Sequence, residues 1–178
     1  MNIEQLKQNL TDGSYDSALS KLYGTDPDVL NQQRARYLQA AETFSRLYPE
    51  RSEVSVFSAP GRTEIGGNHT DHQHGCVLAA SVNLDVIAIV AFHQDGVIRL
   101  QSAGYPQDYV ELQDLSVHSE EKGTSAALIR GIVSRFQEMG VTTGGFDAYT
   151  TSNVLGGSGL SSSCLLYTSP SPRDISGS

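Results

Sequence analysis

The chain has 178 residues, 38% of them hydrophobic, and a formal net charge of −8, which is enough apolar material for one ordinary domain with a real core. The acidic balance argues against the basic face that nucleic-acid binders use and against loose electrostatic attachment to anionic membrane. Its two cysteines, Cys76 and Cys164, form neither a zinc set nor a disulfide framework, the first dozen residues lack the apolar centre of a signal peptide, and the longest apolar run, Val86 to Phe92, is far short of the roughly 20 residues that span a bilayer; a reducing cytoplasm is the expected setting.

In chain order, residues 3–23 carry a weak helical periodicity broken near Asp12-Gly13. A clearer helix starts at Asp26-Pro27. Asp26 suits the N-cap and Pro27 the first helical position. Leu30, Leu38, Ala41, Phe44 and Tyr48 form its apolar stripe and Pro49 stops it. This reads as a packing helix with one solvent-facing side. From Val54 the period changes to two. Residues 76–81 and 84–92 are rich in Val, Ile and Ala, as buried strands are. Gly96, between His93-Gln94-Asp95 and Val97-Ile98-Arg99-Leu100, predicts a hairpin turn, and residues 109–112 a further short strand.

Thr124 or Ser125 can cap a second helix, whose stripe is Leu128, Ile129, Ile132, Val133 and Phe136, with Gly140 beyond its end. Residues 145–151 alternate as an edge or half-buried strand. Helix, strands, helix, strand and glycine-rich loop in that order predict an α+β fold rather than a strict βαβ wind.

Two segments carry chemistry. Ser58 to Gly75 reads S-A-P-G-R-T-E-I-G-G-N-H-T-D-H-Q-H-G, too dense in functional groups for a plain turn. An arginine there offers a planar donor fork for phosphate or carboxylate, and a neighbouring Asp and His can hold sugar hydroxyls directionally. Asn153 to Ser163 reads N-V-L-G-G-S-G-L-S-S-S. It is neither a Walker loop nor a dinucleotide fingerprint. Its glycines let backbone N–H groups turn toward one anion, and its serines add hydroxyl donors; by itself it could equally be a flexible linker.

Taken together, A-P-G-R, G-x-H-T-D and G-x-G-L-S-S-S resemble the GHMP kinase superfamily and, within it, the galactokinases. The resemblance implies a GHMP kinase N-terminal domain with a mixed β-sheet packed by helices, truncated before the C-terminal domain. Residues 1–50 would be a helical lead-in and 51–163 the domain itself. It implies transfer of the ATP γ-phosphoryl to the C1 hydroxyl of galactose. Arg62 would be the catalytic arginine that stabilises charge on the moving phosphoryl group. Asn68, His69 and Asp71 would bind the sugar. Gly157, Ser158, Gly159, Leu160, Ser161, Ser162 and Ser163 would wrap the ATP phosphates, with Ser163 beside Mg²⁺. Sugar and ATP are the expected partners of a monomer.

The family commonly has glutamate where this chain has Asn68, which leaves room for a related sugar such as N-acetylgalactosamine, or for a non-catalytic galactose and ATP sensor. The family's catalytic-base aspartate and magnesium-binding glutamate lie beyond the phosphate loop, so the chain alone is expected to be inactive. His72 and His74 read as surface or supporting residues, Glu64 as solvated and Cys76 as a small core residue. A phosphate loop is expected to open into a helix, yet Pro170 and Pro172 forbid one longer than about two turns. Residues 164–178 are therefore expected to be a non-native or disordered tail.

Overall fold

The computed structural model describes residues 1–66 and 78–154. Three helices lead: α1 (Ile3–Thr11), α2 (Asp16–Tyr23) and α3 (Pro27–Leu47). Asp26 caps α3 as expected, through the N–H groups of Asp28 and Val29, and the weak periodicity divides at Asp12-Gly13. The Asn2 side chain, not singled out in the sequence, caps α1 through the Glu4 N–H. α3 buries Gln33, Tyr37, Ala40, Ala41 and Phe44 and ends at Leu47, with Tyr48 as its C-cap before Pro49.

Five strands follow: β1 (Ser55–Gly66), β2 (Leu78–His93), β3 (Val97–Ser102), β4 (Gln107–Glu111) and β5 (Gly145–Ser152), with α4 (Ser125–Glu138) between β4 and β5. They form one sheet in the order β1-β2-β5-β3-β4. β3 and β5 run parallel and every other pair is antiparallel. One face of the sheet, with Ile87, Ile89 and Ala91, packs on Leu6, Leu10, Tyr37, Phe44 and Tyr48 of the leading segment. On the other face Ile98 and Val110 pack on Ile129 and Val133 of α4. The fold is thus α+β with a mixed sheet between helices, and α4 is capped by Thr124 through the Ala127 N–H.

Three strand expectations change. Residues 78–81 and 84–92 belong to one continuous strand, β2. Its register against β1 jumps from Pro60↔Asp85 to Arg62↔Ser81, so Val82, Asn83 and Leu84 bulge opposite Gly61. The turn at Gly96 exists, with φ +73, but it makes no hairpin, because β5 lies between β2 and β3. That insertion is possible because β5 begins at Gly145, where a Cβ would stand 2.3 Å from the Val97 carbonyl oxygen and 2.8 Å from His93 Cε1. Residues 145–152 are consequently the central strand and not an edge.

Candidate active site

The strand β1 absorbs the first nine residues of the motif-rich segment, 58–66. Arg62 therefore projects from a sheet, which positions a side chain more precisely than a loop. It stands half-buried opposite Ser81. Among the described residues β1 is the sheet edge, and this explains how Pro60 is accommodated: a residue without an N–H is tolerated where that side of the strand has no described partner strand.

Gly61 is the point at which the two motif-bearing segments meet. A Cβ there would lie 3.1 Å from Val82 Cγ2, 3.2 Å from the Leu84 carbonyl oxygen and 3.3 Å from Val154 Cγ2. Val154 is buried and stands two residues before Gly156. Some ninety residues of sequence thus separate A-P-G-R from the glycine- and serine-rich run, and the sheet brings Gly61 against the residue that leads into that run. Gly61→Ala is accordingly expected to lower stability by about 1–3 kcal/mol, the usual cost of overpacking, with the Val154 methyl resonances shifted. Urea midpoints and methyl NMR spectra equal to wild type would show that this contact is slack.

Beneath this junction lies a buried acid that the sequence did not single out. Asp85 is 2% exposed. Its Oδ1 accepts from Arg36 Nη1 at 2.6 Å, and its Oδ2 accepts from the Tyr23 hydroxyl at 2.5 Å and from Ser58 Oγ at 2.5 Å. Its carbonyl oxygen accepts from Arg36 Nη2 at 2.9 Å and from the Asn153 N–H at 3.0 Å, while Arg36 Nη2 also donates to the Thr151 carbonyl at 3.1 Å. Since Tyr23 donates to Asp85, the 2.8 Å bond between the two tyrosines is donated by Tyr37. Burial, and then the bonds to Asp85 and Tyr37, push the Tyr23 hydroxyl far above the normal phenol range, so it remains a donor at any working pH. The one available signal was Asp85 itself, a lone carboxylate inside an apolar strand, which cannot be buried without partners.

Of the other site residues read from the sequence, Asn68, His69 and Asp71 lie outside the described residues. So do Gly157, Ser158, Gly159, Leu160, Ser161, Ser162 and Ser163, and the tail 164–178. Among the described residues no group of His, Cys, Asp or Glu is arranged to hold a metal ion, and no helix is long and apolar enough to cross a membrane. A cavity of about 630 Å³ lies between the segment 115–122 and α4, lined by His118, Lys122, Arg130 and Arg135 among others; none of the site residues read from the sequence lines it.

Residues 42–92, from the last turns of α3 through β1 to β2, match the family model described as the galactokinase galactose-binding signature. The chain is 37% identical over 127 residues to a galactokinase of Streptomyces coelicolor, a match covering 70% of this chain and 32% of that protein. It is 30% identical over 127 residues to a galactokinase of Bacillus subtilis, covering 69% of this chain and 32% of the relative. The crystal structure of Lactococcus lactis galactokinase complexed with galactose matches with a TM-score of 0.62 at 26% identity, over 70% of this chain and 33% of that one. The chain therefore spans about a third of the length of the relatives it matches.

Proposed function

We propose, from the premise that this chain belongs to the galactokinases and is a partial region of one, that the whole protein phosphorylates galactose at the C1 hydroxyl with ATP in the cytoplasm. The observation that carries the reading is the contact of Gly61 with Val154. It places the strand that bears Arg62 beside the residue that leads into the glycine- and serine-rich sequence.

The roles follow from chemistry. The guanidinium of Arg62 is a fixed planar fork suited to the equatorial oxygens of a phosphoryl group in flight. Asn68, His69 and Asp71 supply directional partners for sugar hydroxyls, and the backbone N–H groups of Gly157 to Ser163 supply donors for ATP phosphate oxygens. The hydroxyl oxygen of Ser163 is the hard donor type that magnesium takes together with phosphate oxygens, and the ion, when bound, neutralises charge on those oxygens. Positioning and electrostatics then account for most of the rate.

The test is to give the complete protein ATP and a panel of hexoses, galactose and N-acetylgalactosamine included, and to read products by ³¹P NMR. Galactose 1-phosphate is expected. A preference for N-acetylgalactosamine would move the substrate, and sugar and ATP binding without turnover would favour a sensor. Arg62→Ala is expected to lower kcat by about 10²–10³-fold, as loss of a preorganised transition-state contact does, while KM for galactose changes little. Arg62→Lys is expected to recover only part, since lysine lacks the fork. An Arg62→Ala variant with wild-type kcat would remove Arg62 from the chemistry.

A further inference from the structure

We infer that Asp85 is a positioning residue for this phosphotransfer, acting through Arg62 and through the segment that enters the glycine-rich run; the inference rests on the reading just given. The argument is one of connectivity. Through its carboxylate Asp85 holds Ser58 of β1, Tyr23 of α2 and Arg36 of α3, and through its carbonyl it holds Asn153 just past the end of β5. Arg36 closes the circuit by bonding both the Asp85 and the Thr151 carbonyls. Asp85 faces Pro60 in the β1–β2 register, two residues before Arg62, and Asn153 opens the run that continues to Ser163. The carboxylate thus holds β1 through Ser58 and, through Arg36, the Thr151 carbonyl at the end of β5, so that one buried group and its arginine set the offset between the strand that bears Arg62 and the residues that lead to Val154.

Stability alone does not call for an acid here. A buried ion pair is commonly replaced by apolar residues at no cost or with a gain, whereas a fixed offset between two strands requires directional bonds. A second buried carboxylate, Asp147, provides an internal contrast. It sits at the opposite end of β5, pairs with Ala91 and bonds Arg51 and Arg99, so it ties the far end of the sheet and touches neither motif-bearing segment.

The experiment uses the complete protein. Asp85→Asn keeps the shape and removes the charge; Ser58→Ala removes the Ser58 bond to Asp85, Tyr23→Phe removes the Tyr23 bond to Asp85 together with the bond that Tyr37 donates to Tyr23, and both serve where Asp85→Asn does not fold. Ile129→Val in the α4 core is the control for general loosening. Kinetics are read well below each variant's Tm. The expected result is a fall in kcat of about 10–100-fold, the scale of a misplacement near 1 Å, with KM for ATP and galactose nearly unchanged and Ile129→Val at wild-type kcat. In an Arg62→Ala background the same Asp85 substitution is expected to lose most of its effect, which a merely structural role would not produce. Folded Asp85 and Ser58 variants with wild-type kcat, or fully additive effects in the double variant, overturn the inference while leaving the kinase reading intact. A complete wild-type protein that phosphorylates no sugar in the panel overturns both.

Discussion

Asp147→Ala is expected to cost about 3–5 kcal/mol of stability, the range for removing one partner of a buried charge cluster, and is the most damaging single side-chain deletion anticipated in this fold. The carboxylate of Asp147 is fully buried. It accepts from Arg51 Nε at 2.7 Å, from Arg99 Nε at 2.6 Å and from Arg99 Nη2 at 2.7 Å, and His93 Nε2 stands 3.2 Å from Oδ1. Arg51 also bonds Asp95, and Arg99 reaches Glu50 and lies over the Tyr48 ring. The cluster therefore pins β5 to β3, to the turn after β2 and to the residues that follow α3. Deleting the acid leaves two guanidinium groups facing each other without the anion between them.

The same cluster predicts a pH dependence. Burial pushes the Asp147 carboxyl up, but hydrogen bonds from Arg99 and Arg51, with the His93 ring beside them, outweigh it and hold the group below the usual carboxylate range. A lowered folded value means that the unfolded chain takes up the proton first. The stabilisation is complete above the unfolded pKa of about 3.9 and is lost as pH falls below it through the folded value. Urea midpoints of wild type and Asp147→Asn are expected to differ at neutral pH and to converge in acid. A gap that persists unchanged to about pH 3 would assign the stability to packing instead of charge.

Gly145→Ala is the second large effect. The added methyl would meet the Val97 carbonyl oxygen at 2.3 Å and the His93 ring at 2.8 and 2.9 Å. Val97 opens β3, and His93 is the last residue of β2, in register with Gly145. Neither has room to retreat, so the variant is expected to lose more than about 3 kcal/mol, beyond ordinary overpacking, or to expel β5 from the sheet. Gly96→Ala is the matched comparison: nothing lies within 4 Å of a methyl added there, and only the backbone at φ +73 opposes it, a cost of about 1–2 kcal/mol. Amide exchange of β5 in the two variants separates them. Equal protection in both would mean that the β2–β5–β3 gap is wider than the distances indicate.

The helices were legible because their signals are local. Asp26 and Thr124 act within a turn of their own positions, and Pro49 and Gly140 stop what precedes them. Strand content was legible too, since Val- and Ile-rich runs state burial directly. The pairing was not. Gly96 announces a turn correctly, yet whether the flanking strands pair with each other depends on a competitor more than forty residues away, and no local rule weighs that competition. Gly145 and Asp147 decide it, one by having no side chain and the other by collecting Arg51 and Arg99.

The candidate site divides along the same line. The run from Ala59 to Asp71 carries its chemistry in residue types and spacing, so the likeness to the galactokinases could be read from the chain alone. That Arg62 projects from a sheet edge, that Gly61 abuts Val154, and that Asp85 ties Ser58, Arg36 and Asn153 at one point are facts of tertiary structure. Sequence by itself determined the helices, the strand-forming stretches and the kind of chemistry, because propensity and side-chain type act within a few residues. Strand order and the meeting of Gly61 with Val154 were decided only in the folded sheet, where burial of a carboxylate and the absence of a single methyl select among pairings that are equal in local preference.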